Sequence, residues 1–416
     1  MKASMRLYVF AVAMLGLCPG LASAQPLVFE DVVRNLRNPD PEIRISAVRV
    51  LRDAKYPEAM VPMAPLVADP INEIQFEAIA AELSFFLVDD VPAKRKVAFV
   101  LEVRSDARAQ RAFDAGPLAA WPKLAPQELI EALLKAVDDE NQRVRIEAIY
   151  ALGVVGRDAI RGEHASQLIK ALDHYDPAVR EGAARVVGRF RIPGSSEALI
   201  KAMNDSNEQV RQASMQALGE LREETAVQAL TDHFNYRPKG QGGWAALDAL
   251  ARIAHPSSVP LFRDKLKDKD PFFRRAAAEG LGRTGDKESI EALQSGIGGD
   301  ESEMVRAAMV FALSRVGGGH AVRLVDFIDS DHMALQVQGY MMEIGPGIVP
   351  DVIPHLQEPD SGTRRHLAAV LGELGDPTTI PVLSAMQKDR SDDVVKAATN
   401  AIERIKMRVE EDKNIP

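Results

Sequence analysis

The chain has 416 residues, of which 46% are apolar and 27% charged, and it carries a formal net charge of −9. That balance describes a folded chain long enough for several domains or one extended array, and it argues against a disordered protein. It also argues against a tracker of nucleic acid, which needs a basic face to neutralise phosphates. Aromatic residues make up only 5% of the chain, which suits helix packing through small residues.

The first 24 residues read as a cleavable signal peptide. Lys2 and Arg6 give a positive start, Leu7 to Leu17 are apolar, and Ala22-Ser23-Ala24 is a small-residue cleavage site before Gln25. The apolar stretch is about half of the ~20 residues that a spanning helix needs, so no stable membrane insertion is expected after cleavage. The expected location is the periplasm or the exterior. The only cysteine, Cys18, lies in this segment. Leu17 is too bulky to precede a lipid-modified cysteine, and the mature chain would hold no thiol for a disulfide, a nucleophile or a metal.

Beyond the leader, a phrase returns about every 31 residues, a period that marks an α-solenoid. Its clearest copies are Val144-Arg145…Leu152-Gly153, Val179-Arg180…Val187-Gly188, Val210-Arg211…Leu218-Gly219 and Phe273-Arg274…Leu281-Gly282. Weaker copies start at Ile43, Val305, Thr363 and Val394. In the unit from Asp176, Pro177 fits a first helical turn, and Val179, Ala183, Val186 and Val187 share one face. Gly188 closes the helix, Pro193 to Ser196 turn the chain, and Ala198, Leu199, Ala202 and Met203 line the return helix. On this reading residues 25–83 and 126–405 are repeats, 84–125 an irregular segment, and 406–416 a polar tail that follows a solvating stretch from Arg404.

Arg44, Arg145, Arg180, Arg211, Arg274, Arg306 and Arg364 each follow a capping-type residue by four positions, as in Asp176/Arg180 and Asn207/Arg211. Such an arginine can reach its own cap or that of the next unit. The spacing tracks the fold, so these arginines are expected to form a structural ladder rather than an anion-binding row.

The pattern breaks twice. Between Leu83 and Ala125 the period lapses, which fits either a stretched unit or an insertion that projects a lid or docking element. From Tyr236 to Trp244 the cap and ladder arginine are both missing, and Gly240-Gln241-Gly242-Gly243 reads as a flexible connection. No phosphate-binding fingerprint is matched there.

The pattern Asp-Pro-x-Val-Arg-x-x-Ala-Ala-x-x-Leu-Gly, seen from Asp176 to Ala184, and the run Leu371-Gly372-Glu373-Leu374-Gly375-Asp376-Pro377 resemble the HEAT-like repeats of the phycobilisome-lyase type. The resemblance covers nearly the whole mature chain and implies an all-α, right-handed superhelix of about eleven helical hairpins. It also implies a concave binding surface, taken here to be lined by the return helices. Outward positions there, Lys201, Asp232, Arg263, Arg323, Asp351 and His355, together with Trp244, are the candidate partner contacts.

The chemistry of an enzyme is not legible. The 8 histidines include no pair at the spacing of a helical zinc site, and no His-Glu dipeptide occurs. HEAT-type deoxyhypusine hydroxylases bind iron through paired His-Glu motifs, so the resemblance transfers no metal ligand to this chain. The expectation is a protein partner, no nucleic acid, no cofactor and no catalytic residue. An enzyme or cofactor-handling protein on the same fold is the alternative.

Overall fold

The computed structural model describes residues 29–89, 107–317, 320–329 and 331–414. The predicted signal peptide and the apolar run Val97–Leu101 lie outside them. Among the described residues no helix is long and apolar enough to cross a membrane.

Twelve helices organise the chain: α1 (Pro41–Asp53), α2 (Asn72–Ser84), α3 (Arg108–Asp114), α4 (Gln142–Val155), α5 (Pro177–Phe190), α6 (Glu208–Leu221), α7 (Gly240–Ile253), α8 (Pro271–Thr284), α9 (Glu303–Val316), α10 (Asp331–Ile344), α11 (Ser361–Leu374) and α12 (Asp392–Asn414). All except α3 are the long helix of a repeat. Each is preceded by a shorter return element such as Ser196–Ala202 or Val259–Lys265. Prolines fragment several return elements into single turns, as at Pro350 and Pro354, because each removes a backbone donor. The result is an all-α solenoid.

The long helices begin where the sequence supplies an acceptor. Asp40, Asn141, Asp176, Asn207, Asp270 and Asp360 each accept a backbone N–H from the first turn of the helix that follows. Their buried faces carry the repeated apolar positions, Val179, Ala183, Val186 and Val187 in α5 and Val210, Ala217 and Leu218 in α6.

The arginines stitch one unit to the next. Arg180 donates through Nη1 to the carbonyls of His174 and Tyr175, and through Nε and Nη2 to Asp205 of the following unit at 2.7 and 2.9 Å. Arg44 with Asp69, Arg274 with Asp300 and Arg364 with Asp389 repeat the geometry. Arg145 reaches Asp176 instead. Arg211 and Arg306 hold the two carbonyls of their own turn, Asp205 and Ser206 or Asp300 and Glu301. Each thus binds carbonyls before its own cap rather than the cap side chain, and its carboxylate partner, where it has one, belongs to the next repeat.

The glycine run at 240–243 is no connection. It is the first turn of α7, with Gly240 at φ +66° turning the chain into the helix. The missing ladder arginine is replaced by Trp244, whose indole N–H donates to Asp270 of the next unit at 2.7 Å. Its ring stacks on Phe272.

The long helices touch backbone to backbone. A Cβ on Gly188 would lie 2.7 Å from the Cα of Ala217, and one on Gly282 would lie 2.5 Å from the Cα of Ala312. The same glycine–alanine contact joins α6 to α7 and α11 to α12. An array whose one layer is this closely spaced bends toward that layer. Contacts between remote units agree, since such units meet only inside a curve. Arg222 at the end of α6 lies 3.6 Å from Glu343 of α10, and Arg404 of α12 donates to Leu118 and Ala120 carbonyls. The long helices therefore line the concave face and the return elements form the outer layer, opposite to the expectation from sequence.

Candidate functional site: the concave face

Each long helix presents to the concave side residues four apart, one per turn: Glu181, Arg185 and Arg189 on α5; Trp244, Asp248 and Arg252 on α7; Arg275, Glu279 and Arg283 on α8; Lys396, Asn400 and Arg404 on α12. In the middle of the array these form a charged network. Arg275 bonds Asp248 at 2.8 Å and Glu279 at 2.6 Å. Arg283 bonds Glu279 at 3.0 Å and Glu343 at 2.9 Å, and the Tyr340 hydroxyl donates to Glu279 at 2.6 Å. Burial alone would raise the carboxyls of Asp248 and Glu279. The guanidiniums of Arg252 and Arg275 around the first, and of Arg275 and Arg283 around the second, outweigh it and hold both below the ordinary range. Burial, and the Glu279 charge beside it, push the Tyr340 hydroxyl well up. With Asp248 and Glu279 ionised, the network braces three helices.

The described part of the irregular segment, residues 84–89 and 107–125, lies across this face. Its ends are pinned together, with Val88 N–H donating to Ala119 at 2.9 Å and Trp121 N–H to Phe86 at 2.7 Å. Helix α3 is held at its start by Glu147, whose two carboxylate oxygens accept the Arg108 and Ala109 N–H groups at 2.8 Å each. Phe113 enters the gap left by Gly153, where a Cβ would sit 2.4 Å from its ring. Arg189 lies over that ring at 3.4 Å and donates to the Phe113 carbonyl at 2.6 Å. Burial brings Arg189 down to about 10 and Tyr150 beside it up to about 12. Arg185 bridges Tyr150 and Asp114. The segment then crosses to the far end of the array, where Arg404 bonds the Leu118 and Ala120 carbonyls at 2.9 and 2.8 Å. Lys396 pairs with Asp89. The described part of residues 84–125 is docked on the concave side.

Arg404 is thus buried, its side chain 6% exposed, and α12 continues to Asn414. The expected solvating stretch from Arg404 is a continuation of the last long helix, because its arginines turn inward to carbonyl acceptors.

Apart from Trp244, the residues singled out from sequence lie elsewhere. Lys201, Asp232, Arg263, Arg323, Asp351 and His355 all sit on return elements and so on the outer layer. Lys201 pairs with Asp173, Arg263 with Asp286 and Glu288, and His355 with Glu358. Asp232 accepts from Gln228, while Arg323 and Asp351 are exposed. Trp244 is engaged in the joint to Asp270. Sequence reasoning missed Arg185, Arg189, Arg283 and Arg404. Their signal was present, as charged residues spaced by four on helices otherwise made of Ala, Val and Leu. Among the described residues no group of three or more His, Cys, Asp or Glu could hold a metal ion.

The model of HEAT repeats matches residues 165–241, 237–314 and 331–403, together more than half of the chain. The chain is a HEAT-repeat protein. This agrees with the resemblance read from the Val-Arg and Leu-Gly phrases. The HEAT array is 26% identical over 257 residues to deoxyhypusine hydroxylase of Eremothecium gossypii, covering 59% of this chain and 77% of that protein. It is 29% identical over 160 residues to a HEAT repeat-containing taxis protein of Halobacterium salinarum, covering 38% of this chain and 36% of the relative's length. Among solved structures it is similar to the complex of CpcE and CpcF of phycocyanin lyase from Nostoc, with a TM-score of 0.35 and 19% identity over 79% of this chain and 99% of that one.

Proposed function

We propose that this HEAT array is an exported, non-catalytic scaffold or adaptor that binds another protein through its concave face. The observation that carries the reading is that this face already grips polypeptide backbone. Arg189 and Arg404 donate to three main-chain carbonyls of a segment crossing it. Arginines aimed at carbonyls hold a peptide without demanding one sequence. Likeness to deoxyhypusine hydroxylase favours the alternative, an enzyme or cofactor-handling protein, but no His-Glu dipeptide is present to carry that chemistry.

The test is an in-cell crosslinking pull-down of the full chain with a C-terminal tag. Leu335 of α10 stands 60% exposed, and Gly116 of the irregular segment approaches it. The change Leu335→Asp is expected to abolish capture of the dominant partner, while Arg263→Ala combined with Arg323→Ala on the outer layer leaves it intact. The reverse result would move the interface to the outer layer and sink the concave-face reading. Recovery of a stoichiometric metal or chromophore with the purified protein would favour the alternative. Export predicts a mature chain that begins at Gln25, which intact mass measurement checks.

A further inference from the structure

Within the concave face, four successive repeats each place one arginine around a single cavity of about 530 Å³: Arg191, Arg222, Arg252 and Arg283, from the C-terminal ends of α5 to α8. Among the described residues only two acids, Glu220 and Glu343, share its wall, and Asp248 and Glu279 behind it also hold Arg275, so five arginines meet four carboxylates. Glu343 is bonded by Arg283 at 2.9 Å and is only 3.6 Å from Arg222, whose side chain is 53% exposed. Glu220 accepts from Gln216. Among the described residues no carboxylate lies within ion-pair distance of the exposed Arg191, whereas Arg252 is held by Asp248. A cavity with surplus positive charge thus lies inside a protein whose net charge is −9.

The backbone makes these arginines more telling. Arg191 and Arg222 are the residues that end α5 and α6 in the left-handed conformation, at φ 49° and 55°. The equivalent residue after α8 is Gly285, at φ 74°, the residue type this conformation favours. Two neighbouring repeats therefore carry a long cation where glycine would be the relaxed choice.

We infer that this cavity binds an extended acidic peptide segment of the protein partner. The inference deepens the concave-face reading above and rests on it. Neighbouring helices lie ~8–10 Å apart, and an extended chain advances ~3.3 Å per residue. Carboxylates at every third position would therefore meet the arginines of successive repeats. Pro117, beside the pinned end of the irregular segment, closes one side of the same cavity, so the peptide would run beside the chain's own crossing segment.

The test is fluorescence anisotropy with the full chain and a labelled peptide of about twelve residues carrying glutamate at every third position. Lysine replaces the glutamates in a second peptide. The glutamate peptide is expected to bind and the lysine peptide not. Binding should weaken between about 50 and 200 mM salt and fall at least about tenfold in the double variant Arg191→Gly and Arg222→Gly. Glycine relaxes both left-handed positions, so that variant should keep or raise its thermal midpoint, which separates lost binding from lost folding. Equal binding by the double variant, or by the lysine peptide, overturns the inference. A sulfated oligosaccharide of equal charge that outcompetes the peptide overturns it as well. In the pull-down, a partner recovered equally by the double variant rejects the acidic-segment inference and leaves the scaffold reading standing. Arginine-dependent peptide binding without any protein partner supports the cavity's chemistry and sinks the scaffold reading.

Discussion

Two regions of this protein are built from the same materials, arginine and carboxylate, and do opposite things with them. Along the edge where the repeats turn, Arg44, Arg145, Arg180, Arg274 and Arg364 repeat one arrangement, each closed by carbonyls of its own turn and one aspartate of the next. On the concave face no two repeats agree. Arg185 bridges a tyrosine and an aspartate, Arg283 joins two glutamates, and Arg191 has no ionic partner among the described residues. Charge that recurs with the period is bound into the fold, by carbonyls in all seven arginines and by a carboxylate in five of them. Charge that departs from the period leaves capacity over for something else.

The largest effect that would break this contrast is at Arg145, because it and Asp176 are 6% and 3% exposed. Arg145→Ala leaves a carboxylate buried beside two uncapped carbonyls and is expected to cost about 3–5 kcal/mol, read by urea denaturation. Arg191→Ala, removing an exposed cation, should change stability by less than about 0.5 kcal/mol. Similar losses at both positions would erase the distinction between edge and groove.

Trp244 sharpens it next. If its indole substitutes for a ladder arginine, Trp244→Phe keeps the stacking on Phe272 and loses only the bond to Asp270. The expected cost is about 1.5–3 kcal/mol, and an unchanged unfolding midpoint would reduce the tryptophan to a packing residue.

A smaller effect of opposite sign is expected at Glu82 in α2. Its two carboxylate oxygens are buried with no hydrogen-bond partner among the described residues, and burial raises its carboxyl well above the usual range. A carboxyl that holds its proton more tightly when folded destabilises progressively as pH rises from its unfolded value through its folded one. Glu82→Gln should therefore stabilise the chain at pH 8 by on the order of 1 kcal/mol and make little difference at pH 4. Equal effects at both pH values would contradict this.

The smallest effect concerns acid. Hydrogen bonds from Arg180 and Arg364 hold the carboxyls of Asp205 and Asp389 below their ordinary value. A carboxyl depressed on folding stabilises fully above its unfolded value near pH ~4 and loses that contribution as pH falls through the folded one. Asp205→Asn with Asp389→Asn should lower stability at pH 7 and flatten its fall below pH ~4, as followed by thermal melts across pH.

How much was legible in the sequence follows from the same division. The caps at Asp176 and Asn207, the arginine spacing and the Leu-Gly phrase announced a helical array, since local rules act on neighbours within a turn or one repeat. The side of the array that faces inward was not announced in the same way. It depends on the relative spacing of two layers, set by contacts such as Gly188 with Ala217 and Gly282 with Ala312. The glycines were visible, but their meaning as backbone contacts needed the partner helix. The run at Gly240 misled because glycine marks a loop in most settings, while here Trp244 and Asp270 across the joint hold it as a helical turn. The bridge from Arg404 to Leu118 joins positions 286 apart, and no periodicity could have foretold it.

That bridge changes what kind of object the array is. Repeats that touch only their neighbours behave as a one-dimensional chain of units, free to fray from either end and to flex like a spring. Tying the last helix to a segment just before the third repeat closes the repeats between them into one circuit. Unzipping from the C-terminus must then release Leu118 and Ala120 before it can proceed. The energetic consequence is cooperativity over a length that nearest-neighbour stacking would not give, so a change at residue 404 is felt at residue 118 without passing through the repeats between.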